Sequence, residues 1–488
     1  MTGTDEGTPA RMACDQATGE GDNMTSGTRI LKAAKRPTLP LLAFFLILPL
    51  ALRAVEYHVS PSGDDAAPGT RGAPWRTIQK AADAMGPGDI VRIAAGVYRE
   101  PVRTVRAGNP DDGAVVFAAA GDGIPILDGS GVHAETGFTI EHDHIKLSGL
   151  EIRNWSGTGI WISGAGHVTV EECEVHQVPY GIGVANGAHD FVLRKVRIHH
   201  FDLYGFDASP SGGEDCTNGT FEDCVAHTGR DPDQNVDGFA LGHGGQYGFL
   251  FLRCETYEVF DGFDISSRNT TMDKCSAHDC WNGGYKLWQD GIVLSNCVAY
   301  DNRETNVELD WDKSPGTVSL VNCTFVGSGT FNVWVENSGD SLRMFNCILV
   351  GGENIGLAFE QSGITNYRGD YNIFHNRDPE RAVVVAYEDE FSLARLAGGA
   401  WTQASGQDRH SLAVKDPETE LFVNPRGGDF SLCPGSPAID SGTSENAPRD
   451  DFLGTMRPAG SGFDIGAFEW IRRMIPMMPA TAAKEPWR

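Results

Sequence analysis

Residues 250–297 read LFLRCETYEVFDGFDISSRNTTMDKCSAHDCWNGGYKLWQDGIVLSNC, and one unit recurs through them: a short apolar strand ending in cysteine, a polar turn, then a second short strand. Working outward, Cys173, Cys224, Cys254, Cys275, Cys297, Cys323 and Cys347 hold the same place in successive units. Leu150 and Val196 fill it where cysteine is absent, so the place recurs every 21 to 30 residues. Short strands repeating at this period with no helix between them read as a solenoid, and the leucine and asparagine spacing of a leucine-rich repeat is missing. The expected fold is all-β, a right-handed parallel β-helix from about residue 89 to 374. In it the seven cysteines are expected to stack as small apolar core side chains, disulfides between neighbouring rungs being the alternative. Cys216 and Cys280 lie outside this ladder, and the sequence leaves them paired or free.

Aligning the repeats on cysteine brings Tyr204–Asp207, Asp237–Ala240, Asp261–Asp264, Gly283–Lys286 and Thr305–Glu308 into register. Alternate strand residues face the core. Phe206, Phe239, Phe263, Tyr285 and Val307 are therefore expected inside, with Asp207, Ala240, Asp264, Lys286 and Glu308 projecting to solvent in one column.

The ends read differently. Residues 39–52 (LPLLAFFLILPLAL) follow Arg29, Lys32, Lys35 and Arg36 and precede Ala54. The run is too short for a usual membrane span and reads as a secretory signal core with cleavage after Ala54. Met24 is the better-placed initiator, which makes residues 1–23 an extension. Thr77 to Met85 has helical spacing at Ile78, Ala81, Ala82 and Met85 and stops at Gly86-Pro87-Gly88, as expected of a helix capping a solenoid end. The expected organisation is an extension and signal over 1–54, a cap and first coils over 55–144, the central β-helix over 145–374, and an insertion with closing segment over 375–488.

The chain carries a net charge of −27. Such a surface repels nucleic acid and anionic lipid, and it admits an anionic substrate only where a cation or basic group reverses the field.

The closing motifs Leu421–Pro425, Gly428–Leu432, Ser436–Asp440 and Asp464–Glu469 resemble those of many secreted bacterial right-handed parallel β-helix proteins. The central stretches Asn235–Ala240, Phe260–Asp264 and Asn282–Leu287 resemble the active-site rungs of family 9 polysaccharide lyases, a group of calcium-dependent pectate lyases. The resemblance implies that Asp237, Asp261 and Asp264 ligate calcium and that Lys286 is the catalytic base. Phe260 departs from the pattern, standing where the family has an aspartate, and Asp207 is the expected substitute. The implied protein is secreted and monomeric, and acts on an acidic polysaccharide.

Physical chemistry supports the reading independently. Calcium takes six to eight oxygen ligands, and rungs about 4.8 Å apart let carboxylates converge. A lysine can remove a proton only if its pKa is drawn down, and flanking carboxylates alone raise it. Glu308 is a further candidate on the next rung, and Trp288, Trp311 and Trp334 are candidate sugar platforms, Trp288 being preferred for its outward parity. Solvent-facing Asp and Lys are ordinary on a β-helix and Asp-Gly is a common turn dipeptide; the ordered coincidence on consecutive rungs sets this group apart. Asp273, Lys274, Asp279 and Asp290 receive no role. His199-His200 is rejected as a metal pair because neighbours in a strand face opposite ways, and Gly242–Gly245 reads as a turn. A glycoside hydrolase using two of the acids, or a non-catalytic carbohydrate-binding protein, are the alternatives.

Overall fold

A computed structural model describes residues 54–471, apart from 209–212, 243–244, 310–315, 337–338, 340, 352–354 and 361–362. The signal core at 39–52, Trp311 and half of the Gly242–Gly245 turn lie outside the described residues. Among those described, no helix is long and apolar enough to cross a membrane.

The chain winds as a right-handed parallel β-helix. Among the described residues, one sheet stacks thirteen parallel strands, from Glu56–Val59 to Tyr367–Asp370. The remaining faces form a second sheet of 24 strands in two interleaved stacks, fused where Glu174–Ala185 and Arg197–Asp207 run unbroken around a corner. Pairing begins before residue 89, since Glu56–Val59 already aligns with Ile90–Ile93. It also continues past 374: Ala382–Ala386 adds to Ile355–Phe359, and Leu412–Ala413 to Ile373–Phe374.

The capping helix spans Ile78–Ala84, with the Thr77 hydroxyl accepting from the Lys80 N–H at its start. Ile78, Ala81 and Ala82 are buried, which covers the open end of the first coil.

The cysteine ladder forms as expected. All seven side chains are buried, and no disulfide joins them; Cys216 and Cys280 are also buried and free. Burial pushes the Cys297 and Cys323 thiols well above their ordinary value, so they behave as apolar filler. The residue before each ladder position takes the left-handed conformation: Glu172, Lys195, Asp223, Arg253, Lys274, Asn296, Asn322 and Asn346 have φ between 50° and 58°. This single-residue bend turns the chain from one sheet into the next, and asparagine tolerates it best of these.

Phe239, Phe263 and Tyr285 stack in the interior at 5.0 Å centroid spacing, the rings within 8° of parallel. At the C-terminal end, residues 436–469 return along the flank of the coils. Asn322 Nδ2 donates to the Asp464 and Gly466 carbonyls, and Asn346 Nδ2 to Thr443.

Candidate active site

Register places the predicted column as read. Asp207 pairs with Ala240, Ala240 with Asp264, Asp264 with Lys286, Lys286 with Glu308, and Glu308 with Trp334. A second column runs beside it, through Tyr204, Asp237, Asp261, Gly283 and Thr305. Strict alternation would send Asp261 to the same side as core-facing Phe263. A corner prevents this: Gly262 and Phe263 both face inward, so Asp261 and Asp264, three apart, share the outer face. Gly262 is required there, because a Cβ would lie 2.6 Å from the Gly284 carbonyl oxygen and 2.7 Å from the Thr256 methyl.

The expectation that the column projects freely to solvent is corrected. In that column Ala240 and Glu308 are 5% and 9% exposed and Asp207, Asp264 and Lys286 are half-buried; in the second column Asp237 and Asp261 are 1% and 0% exposed. Strand spacing packs these side chains against one another, and Asn235 and Asn282 fold over the acids. Asn235 Nδ2 donates to Asp237 Oδ2 at 2.9 Å, and Asn282 Nδ2 to Asp261 Oδ1 at 2.8 Å. The Gly283 N–H also donates to Asp261 Oδ1, at 2.9 Å. Both asparagines stand inside the motifs quoted from the sequence, yet no role was read for them.

Asp261 Oδ2 is buried with no hydrogen-bond donor, and its nearest cation is the Lys286 Nζ at 3.6 Å. Thr305 Oγ1, two positions along the same column, is likewise buried without a partner. Burial, reinforced by Asp261 and Asp264, pushes Asp237 well above the carboxylate range. Burial and then Asp261 raise Asp264 to about 6, with Lys286 and the Trp288 indole acting the other way. Burial would lower the Lys286 pKa, but Asp261, Glu308, Asp264 and Asp237 outweigh it, and the amine is held above its ordinary value. Asp237, Asp261 and Asp264 repel one another, and with the orphaned Asp261 oxygen they offer oxygen donors of the kind a hard cation such as calcium takes.

Asp207 lies two strands from Asp264 in its column, about 9.6 Å along the stack. Phe260 packs on the hydrophobic core as a partly buried side chain, so the departure from the family pattern replaces a carboxylate with packing surface.

Aromatic rings bound the site on both sides. Lys286 Nζ lies 5.0 Å from the Trp288 ring centroid. Trp334, ranked below Trp288 from sequence, sits beside Glu308 and stacks on Phe331 at 5.4 Å. At the other end Tyr180 and Tyr204 approach to 5.9 Å. One rejected motif needs correction: the His199 and His200 rings meet, Nδ1 to Nδ1 at 2.7 Å, because His200 adopts φ 55° and breaks the alternation that would have separated them.

Comparison with known proteins agrees with this architecture. The family profile described as Pel9A-like, right handed beta helix region matches residues 57–324, more than half of the chain, a span that includes Asp207, Asp237, Asp261, Asp264, Lys286 and Glu308. Pectate lyase L of Paenibacillus polymyxa is 24% identical over 313 residues, covering 58% of this chain and 65% of its own length, a little under two thirds. Pectate lyase L of Dickeya chrysanthemi is 21% identical over 473 residues, 88% of this chain and 97% of its own. The crystal structure of pectate lyase Pel9A superposes with a TM-score of 0.54 at 20% identity, covering 86% of this chain and 98% of that one, which supports the fold. With its central rungs and the corner at Gly262 inside the matched span, the chain belongs to the Pel9A-like right-handed β-helix family.

Proposed function

We propose that this protein is a secreted, calcium-dependent polysaccharide lyase that cleaves a polyuronate such as pectate by β-elimination. The observation that carries the reading is the cluster of Asp237, Asp261 and Asp264 with the Lys286 amine 3.6 Å from the Asp261 carboxylate. Asp237, Asp261 and Asp264 would hold the calcium, with Asp207 at the margin of the set. Bound there, calcium would neutralise the uronate carboxylate and acidify the adjacent C–H. Asn235 and Asn282 orient two of the carboxylates. Lys286 Nζ takes the proton from the sugar carbon next to the carboxylate, a double bond forms toward the neighbouring carbon, and that carbon's bond to the glycosidic oxygen breaks, the oxygen taking a proton from water. Of the four carboxylates that keep Lys286 protonated, Asp261, Asp264 and Asp237 are those that would ligate the ion, and Glu308 is not. The amine is thus free to act as a base only when those three are engaged, and an alkaline optimum follows. Trp288 and Trp334 offer faces for sugar rings, and Glu308 borders the path.

One observation favours a second reading. Asp264, raised to about 6, could serve a glycoside hydrolase as general acid. Purified, chelator-stripped protein given polygalacturonate, with and without calcium, decides between them. Calcium-dependent unsaturated product supports the lyase; new reducing ends without unsaturation support the hydrolase; neither product leaves a binding protein.

A further inference from the structure

Away from the acidic cluster, at the turns that lead into the thirteen-stranded sheet, two successive coils bring two imidazoles and a carboxylate together. His167, His189 and Asp190 each offer one ligand atom, and these atoms lie within 4.8 Å of one another. His189 forms a bridge with Gly166 on the preceding coil. Because Gly166 has no side chain, the His189 ring folds over it, with Nε2 2.6 Å from where a Cβ would stand. His167 and Asp190 both take left-handed backbone, with φ 56° and 51°, in equivalent places on their coils.

The partners of these groups leave the right atoms available. His189 Nδ1 lies 3.1 Å from the Gly187 carbonyl, so Nδ1 carries the proton and Nε2 keeps its lone pair. A carbonyl on the far nitrogen is the arrangement that fixes a metal-ligating histidine in its tautomer. Asn218 Nδ2 donates to Asp190 Oδ1 at 3.1 Å, which orients the carboxylate and leaves its other oxygen. His167 is exposed, stacks on His144 at 4.6 Å and meets the His189 ring edge-on at 5.9 Å. The Asp143 carboxylate, which accepts from the Gly166 N–H at 2.8 Å, adds negative charge beside the cluster.

We propose that His167, His189 and Asp190 form a binding site for a zinc-class divalent transition ion that cross-links successive coils. Two imidazole nitrogens with one carboxylate suit such an ion and not calcium, and water completes the tetrahedron. Metal–ligand bonds of about 2.0–2.2 Å require the ligand atoms to close to roughly 3.3 Å, a movement the exposed His167 side chain provides by rotation. The proposal is independent of the lyase reading.

The test is calorimetric titration of untagged, chelator-stripped protein with zinc chloride, paired with thermal unfolding. A single saturable site and a rise in Tm that grows with zinc are expected. His189→Ala and Asp190→Asn should each weaken zinc binding by about tenfold or more, and excess calcium should not displace the ion. His167→Ala, an exposed change, should abolish the zinc-dependent rise while leaving Tm in chelator unchanged. No zinc uptake, an unaltered isotherm in His189→Ala, or displacement by calcium overturns the proposal.

Discussion

Lys286 lies between core-facing Tyr285 and Leu287 with its amine among four acids, and arginine there would keep the charge but could not give up a proton. Lys286→Arg should lower turnover by about a hundredfold or more while leaving calcium affinity and Tm nearly unchanged; unsaturated product formed at the parent rate would remove this lysine from the mechanism. The acids make a separate, pH-dependent prediction. Asp264 rises from 3.8 to about 6 in the fold, chiefly through burial. Its stabilising contribution is therefore complete below the unfolded value and is lost as pH rises through the folded one. Asp237 shifts in the same direction. Protein in chelator should lose Tm as pH climbs from about 4 past about 6, Asp264→Asn should flatten that decline, and calcium should reverse it. A Tm profile in which Asp264→Asn matches the parent would show that this cluster does not govern the decline.

At the scale of the element, the corner matters more than the strand. Gly262 lets two successive residues face inward and turns Asp261 toward Asp264 and Lys286. Gly262→Ala must push a Cβ against the Gly284 carbonyl and Thr256. Overpacking of this kind costs about 1–3 kcal/mol, and denaturant unfolding should report it together with weakened calcium binding. Unchanged stability and calcium affinity would mean that the corner is not what holds Asp261 in place. The repeat made the strands legible, because cysteine, Leu150 and Val196 mark one phase. It did not make the corner legible, since two inward residues in a row violate the alternation used to read faces. The left-handed residue at His200 defeated the same rule.

Across the whole molecule, the closing segment is fastened to coils far away in sequence. Arg457 and Glu469 pair at 2.9 Å with both side chains fully buried, and Arg457 also donates to the Asn296 side chain and the Gly466 carbonyl. Arg457→Met would leave Glu469 buried beside Asp451 and Asp464 without its cation. Breaking one side of a buried pair costs about 3–5 kcal/mol, so Tm should fall clearly while the groove's calcium affinity stays intact. A variant that unfolds like the parent would show that the pair contributes no net stability. Lys274, given no role from sequence, belongs to the same fastening through Asp450 at 2.6 Å.

The sequence alone determined the solenoid, the inward stacks, the capping helix and the order of the acids and lysine along one column, because each of these repeats with a period that short-range geometry enforces. Only the tertiary structure decided how deeply Asp237 and Asp261 are buried, that Asn235 and Asn282 hold them, and that His167 meets His189. Those facts depend on contacts between neighbouring coils and on single residues with unusual backbone angles. Neither leaves a periodic trace in the chain.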